Sequence, residues 1–169
     1  MKKVSIFVLL LLGSISIWVL MSFSGGVDQV RKLALKGSVD HQKKMYTFYM
    51  SEGEQHNKPE AFKWATMAAE KSDQGAQLAV GQFYLQGLGG IAIDDTVALT
   101  LFEKSAIQGN MEAQRLTGIM YLKGQGKPAD YIKSKDYLQR AANQGDERAK
   151  SILPTVDSLS SLSKSLGKS

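Results

Sequence analysis

The chain contains no cysteine, only three prolines and only two histidines among its 169 residues. Without cysteine there is no disulfide, no thiolate metal site and no cysteine nucleophile, and cysteine usage leaves the redox compartment open. The histidines, His41 and His56, stand without a second histidine or an acidic cluster at ligand spacing, so no metal is expected. No Gly-x-Ser-x-Gly elbow and no phosphate-binding loop occur. The stretch Gly87-Leu88-Gly89-Gly90 reads as a turn between helices, and the register described below makes Asp94 of the Asp94-Asp95 pair a helix cap. No catalytic residue, cofactor or small-molecule substrate is therefore expected. The net charge of +5 is spread along the chain without a block of like charges, which describes a solvated surface rather than a nucleic-acid footprint. The scarcity of proline, together with 43% hydrophobic residues, favours a packed all-α fold.

One long uncharged run is present. Lys2 and Lys3 precede 20 residues, Val4 to Phe23, without a charge. At about 1.5 Å per residue this is long enough to cross a hydrocarbon core of about 30 Å. Trp18 and Phe23 suit a membrane interface. No A-x-A cleavage pattern is present, so residues 1–26 read as a membrane anchor, with a cleaved signal as the alternative. Arg31, Lys32 and Lys36 oppose the orientation set by Lys2 and Lys3. The short Met-Lys-Lys start is similar to a bacterial export signal and places the remaining chain outside the cytoplasm; a cytoplasm-facing arrangement is the alternative.

The central region is periodic. Gly37, Ser72, Gly109 and Gly145 are separated by 35, 37 and 36 residues. Around them other positions keep step: Tyr49 with Tyr84 and Tyr121, Gly81 with Gly118, Trp64 with Leu101 and Tyr137. Asn57, Asp94 and Asp130 each stand four residues before Ala61, Ala98 and Ser134. A short carboxylate or amide there accepts from an unpaired backbone N–H, so these three are predicted N-caps of the second helix in each unit. Glu60, three residues after Asn57, resembles the partner in a capping box. Gly109 and Gly145 fall at helix ends, where glycine takes the left-handed conformation without a Cβ clash. Gly81 and Gly118 fall within helices, which costs about 1 kcal/mol against alanine and predicts close approach of a neighbouring helix. The units are 38–72, 73–109 and 110–145. Residues 27–37 form a capping helix, 146–157 a partial fourth unit stopped at Pro154, and 158–169 a flexible serine-rich tail.

These residues resemble the Sel1-like repeat, a relative of the tetratricopeptide repeat. The third unit carries Ala113, Gly118, Tyr121, Gly124, Gly126, Asp130, Ala141, Ala142 and Gly145, with Ser134 in place of alanine. The second carries Ala76, Gly81, Tyr84, Gly87, Gly89, Asp94, Ala98, Ala106 and Gly109, with one extra residue near Gly90. The first is degenerate, with His41 and Tyr46 at the alanine and glycine positions and Glu52-Gly53-Glu54 for the Gly-x-Gly loop. The resemblance implies an all-α, right-handed superhelical solenoid with a concave groove lined by the first helix of each unit. It further implies a non-catalytic adaptor that binds another protein. The groove positions are Lys43, Thr47 and Met50 in the first unit, Leu78, Gln82 and Leu85 in the second, and Arg115, Ile119 and Leu122 in the third. Leu78 and Ile119, flanked by Gln82 and Arg115, suit a peptide with apolar anchors and an acidic group. An envelope scaffold that binds cell-wall glycan through Tyr46, Tyr49 and Phe83 is the alternative.

Overall fold

The computed structural model describes residues 25–51 and 57–166. A first helix, α1, occupies 25–35. Three helix pairs follow: α2 (Val39–Met50) with α3 (Lys58–Ala69), α4 (Gln74–Gln86) with α5 (Asp95–Ile107), and α6 (Met111–Lys123) with α7 (Tyr131–Asn143). A long α8 (Glu147–Leu166) ends the array, and a 3-10 turn (Leu88–Gly90) links α4 to α5. Each helix packs chiefly on its neighbours in sequence, and no strand occurs among the described residues. This is the quasi-one-dimensional arrangement of an all-α solenoid. The apolar run 4–23, the Glu52-Gly53-Glu54 segment and His56 lie outside the described residues. Among the described residues no helix is long and apolar enough to cross a membrane.

The caps explain where the helices start. Asn57, Asp94 and Asp130 accept from the backbone N–H of Glu60, Val97 and Lys133 at 3.1, 2.9 and 2.9 Å. Their own N–H groups donate to the carbonyls of Tyr49, Tyr84 and Tyr121 at 2.9, 3.0 and 3.0 Å. This last bond explains why Glu60 forms no reciprocal capping box: the Asn57 N–H it would reach is already committed to the preceding helix. A second set of caps starts the first helices. Asp73, Asn110 and Asp146 accept from the N–H of Ala76, Ala113 and Ala149 at 2.8, 2.9 and 2.9 Å.

The mid-helix glycines sit where helices touch. A Cβ on Gly81 would lie 2.5 Å from Cε1 of Phe102, and one on Gly118 would lie 2.6 Å from Cγ of Leu138. Both facing side chains are fully buried. The helix pairs therefore close onto the missing methyl, and the propensity cost of glycine is offset by packing. Four clusters follow along the axis. Ala34, Met45 and Trp64 come first, then Ala65, Ala79 and Val80. Ala98, Leu99, Phe102, Met120 and Tyr121 form the third, and Leu138, Ala141, Ala142, Ala149 and Val156 the fourth.

The C-terminal region departs from the sequence reading. Instead of stopping before Pro154 and giving way to a flexible tail, α8 continues through Pro154 to Leu166. Val156, beyond the proline, is fully buried among Leu138, Ala142 and Ala149. Pro154 itself is exposed, so water can serve the Lys150 carbonyl that the proline ring leaves without a donor. Apolar burial on both sides of the proline outweighs the lost bond. A Lys135–Asp157 ion pair at 2.7 Å adds to the same contact with α7.

Candidate functional site

The nominated groove residues lie on α2, α4 and α6, and the structure divides them by use. Lys43 and Thr47 are exposed, and Met50 is half-buried at the end of α2. Lys43 Nζ reaches Asp73 Oδ2 at 3.1 Å, while Thr47 Oγ1 donates to the Lys43 carbonyl at 3.0 Å. Both border a recess of about 190 Å3 between α2, α3 and α4, completed by Tyr46, Ala65, Gly75 and Ala76.

In the second and third units the same positions are drawn into contacts between units. Leu78 and Leu85 are half-buried against the cluster of Leu99, Phe102, Met120 and Tyr121. Ile119 and Leu122 are half-buried against Leu138, Ala149 and Val156, so α8 covers them. Gln82 Nε2 donates to Glu112 Oε1 at 3.3 Å. Arg115 Nε donates to Asp146 Oδ2 at 2.9 Å, with side-chain exposures of 14% and 9%. The guanidinium is thus spent on the cap of α8 rather than offered to an acidic ligand. Of the three aromatic candidates, Tyr46 and Tyr49 are half-buried beside Trp64 and Phe83 is fully buried.

Sequence reasoning missed what joins the units. Polar residues on one first helix reach the start of the next: Lys43 to Asp73, Gln82 to Glu112, Arg115 to Asp146. The signal is a spacing of 30 or 31 residues between partners. Beneath them runs a relay of buried amides. Gln42 and Gln114 donate to the carbonyls of Ala34 and Ala106, each at 3.1 Å. Gln77 and Gln114 accept from Gln108 and Gln144 at 2.8 and 2.7 Å.

One titratable cluster stands out. The Tyr121 hydroxyl donates to Glu103, whose other oxygen takes Lys127 at 2.7 Å, and Tyr137 stacks on Tyr121 with ring centroids 6.1 Å apart. Burial, reinforced by the Glu103 carboxylate, pushes the Tyr121 phenol up to about 12. Burial and Glu103 likewise raise Tyr137, and burial alone raises Tyr46. Such a phenol stays protonated at neutral pH and is no base; its work is to fasten α6 to α5. Among the described residues no group of His, Asp and Glu could hold a metal ion.

The Sel1 repeat profile matches residues 46–73, 75–110 and 112–146, more than half of the chain. A Sel1 repeat protein from Oxalobacter formigenes, known from its crystal structure, superposes with a TM-score of 0.69 at 32% identity, over 77% of this chain and 98% of that one. The protein NMB1327 of Neisseria meningitidis serogroup B is 33% identical over 132 residues, 75% of this chain but only 27% of its own length. HRD3B of Arabidopsis thaliana, a component of an ERAD-associated E3 ubiquitin-protein ligase, is 34% identical over 52% of this chain and 13% of its own. The chain thus spans about a quarter or less of these two relatives. Sel1 repeat proteins act as scaffolds for protein–protein interaction. On the repeat match and the shared architecture, the chain belongs to the Sel1 repeat family.

Proposed function

We propose that this chain is a non-catalytic adaptor of the bacterial cell envelope, held at a membrane by residues 4–23 with its repeats outside the cytoplasm. It binds a segment of a partner protein on the concave side of its first helices. The observation that carries the site is the recess between the first two units, bordered by Lys43 and Thr47. Lys43, though paired with Asp73, stays exposed with Thr47, whereas the corresponding residues of the later units are half-buried in contacts that hold the solenoid together. The surface is small, and anchoring raises the local concentration of a partner in the same membrane.

Two experiments test this reading. Crosslinking capture from native membranes compares the wild type with Lys43→Glu/Thr47→Glu, both folded by circular dichroism. A partner captured by the wild type and lost by the variant supports the recess; equal capture moves the site elsewhere. A C-terminal alkaline phosphatase fusion is expected to be active, and an inactive one refutes the extracytoplasmic placement.

A further inference from the structure

Along the array, the second helices of neighbouring units border a series of equivalent positions. Each is built on a tyrosine of a first helix. In the first unit the tyrosine is Tyr49, packed beside the buried Trp64, and its hydroxyl accepts from Arg31 at 2.8 Å. In the third it is Tyr121, stacked on Tyr137, and its hydroxyl donates to Glu103. In both units the following second helix thus supplies an aromatic residue, stacked on the tyrosine in the third and buried in the core cluster against which the tyrosine packs in the first. Twice the hydroxyl is held by a long side chain 18 residues earlier.

The middle unit breaks both rules. Leu101 stands where Trp64 and Tyr137 stand, and Thr66 where Arg31 and Glu103 stand. Thr66 is too short to reach across and donates instead to its own helix, at the Phe62 carbonyl 2.8 Å away. The Tyr84 ring meets Phe62 edge-on at 5.7 Å, and among the described residues its hydroxyl has no hydrogen bond. What remains is an open cleft of about 380 Å3 between α3 and α5, floored by Val80 and Tyr84 of α4. Val97 and Leu101 line one wall.

We infer that this cleft is a binding site for an aromatic side chain carried by a partner polypeptide, which supplies in trans the ring that the neighbouring units supply themselves. The shape argument is internal to the chain, since the same scaffold one unit further on holds a stacked tyrosine. The electrostatic argument agrees. Arg140 lies 5.7 Å from the Tyr137 centroid, over its electron-rich face. Lys104 is the matching residue at the mouth of the cleft, and it makes no ion pair among the described residues. A cation so placed favours an aromatic over an aliphatic guest. The Tyr84 hydroxyl gives a polar contact for a phenol, an indole N–H or a backbone carbonyl. The cleft shares α3 and α4 with the recess at Lys43 but is lined by other residues of those helices and by α5, and it does not rest on the adaptor proposal.

The test uses the full chain, labelled with 15N and titrated with N-acetyl-Gly-Trp-Gly-amide or the same peptide with leucine at its centre. The tryptophan peptide is expected to shift the amides of Thr66, Val97 and Lys104, and to bind about tenfold more tightly than the leucine peptide. Leu101→Tyr, which fills the cleft as Tyr137 fills the next, is expected to abolish those shifts. Should that variant fail to fold, Val97→Lys replaces it, placing at an exposed position the lysine that Lys133 provides one unit along. Equal binding of the two peptides, or tryptophan shifts that persist in the filled variant or fall at the recess near Lys43, overturns the proposal. A wild-type dimer that becomes monomeric in Leu101→Tyr assigns the cleft to a second copy and also overturns it.

Discussion

Replacing Lys71 by glutamine is expected to stabilise the protein. Position 71 corresponds to Gln108 and Gln144 in the later units. There the side-chain amide donates to the buried glutamine of its own unit's first helix, at 2.8 and 2.7 Å. Gln144 also reaches back to the carbonyl of Gly109 at 3.1 Å. In the first unit Lys71 keeps only the backward contact, to the carbonyl of Gly37. The acceptor it leaves behind is Gln42 Oε1, on a residue only 1% exposed, which has no partner. An unpaired buried acceptor costs about 1–3 kcal/mol, while the lysine contact that is given up lies at an exposed site. Glutamine can make both bonds, as Gln144 does. The expected gain is about 1–2 kcal/mol, or roughly 4 °C in the unfolding midpoint per kcal/mol for a chain of this size.

Thermal unfolding followed by circular dichroism reads this directly. The reasoning requires the gain to depend on the Gln42 amide, so the same substitution in a Gln42→Leu background should return no more than a few tenths of a kcal/mol. Reversing the logic, Gln108→Lys should destabilise, because it strips the partner from Gln77 Oε1. A gain that survives Gln42→Leu, or a Lys71→Gln variant less stable than the wild type, would falsify the amide-relay account.

Ser72 holds φ at +65° where the other units place glycine, so Ser72→Gly should raise stability by about 0.5–1 kcal/mol in the same unfolding assay. Gly118→Ala should lower it by roughly 1–2 kcal/mol despite the better helix propensity, because its methyl meets both Leu138 and the Ser134 carbonyl. Arg115→Ala, which leaves Asp146 buried and unpaired, should cost roughly 2–3 kcal/mol in chemical denaturation; Lys43→Ala, at a pair exposed on the lysine side, should cost under about 0.5. The Tyr121 phenol ionises less readily folded than unfolded, so its contribution is intact below about pH 10. That contribution is lost as pH rises toward about 12. Tyr121→Phe should flatten the midpoint-against-pH curve in that window.

The order of the helices and the caps at Asn57, Asp94 and Asp130 were legible because they depend on local chemistry repeated in phase. A short polar residue before an apolar stripe has one sensible use, and three copies at one register leave little room for another. The groove was less legible for a reason rooted in solenoids. A first helix touches its own partner on one side and the next unit on the other, so a half-polar position such as 78, 82 or 115 has two possible neighbours besides solvent. Periodicity fixes the angle around the helix, but it does not say how far the next unit reaches over it. Leu78 and Ile119 look like exposed anchors within their own units and become packing once Met120 and α8 are in place. The pairs Lys43–Asp73 and Arg115–Asp146 carry the missing information at a spacing just short of the repeat. The Pro154 error has the same origin: a local rule ends the helix there, while burial of Val156, which is non-local, carries it on. The proposed cleft likewise lies where the units differ. Leu101 for an aromatic ring, Thr66 for a long side chain and Lys71 for glutamine each leave a contact unmade, and of these the first two open onto one cleft.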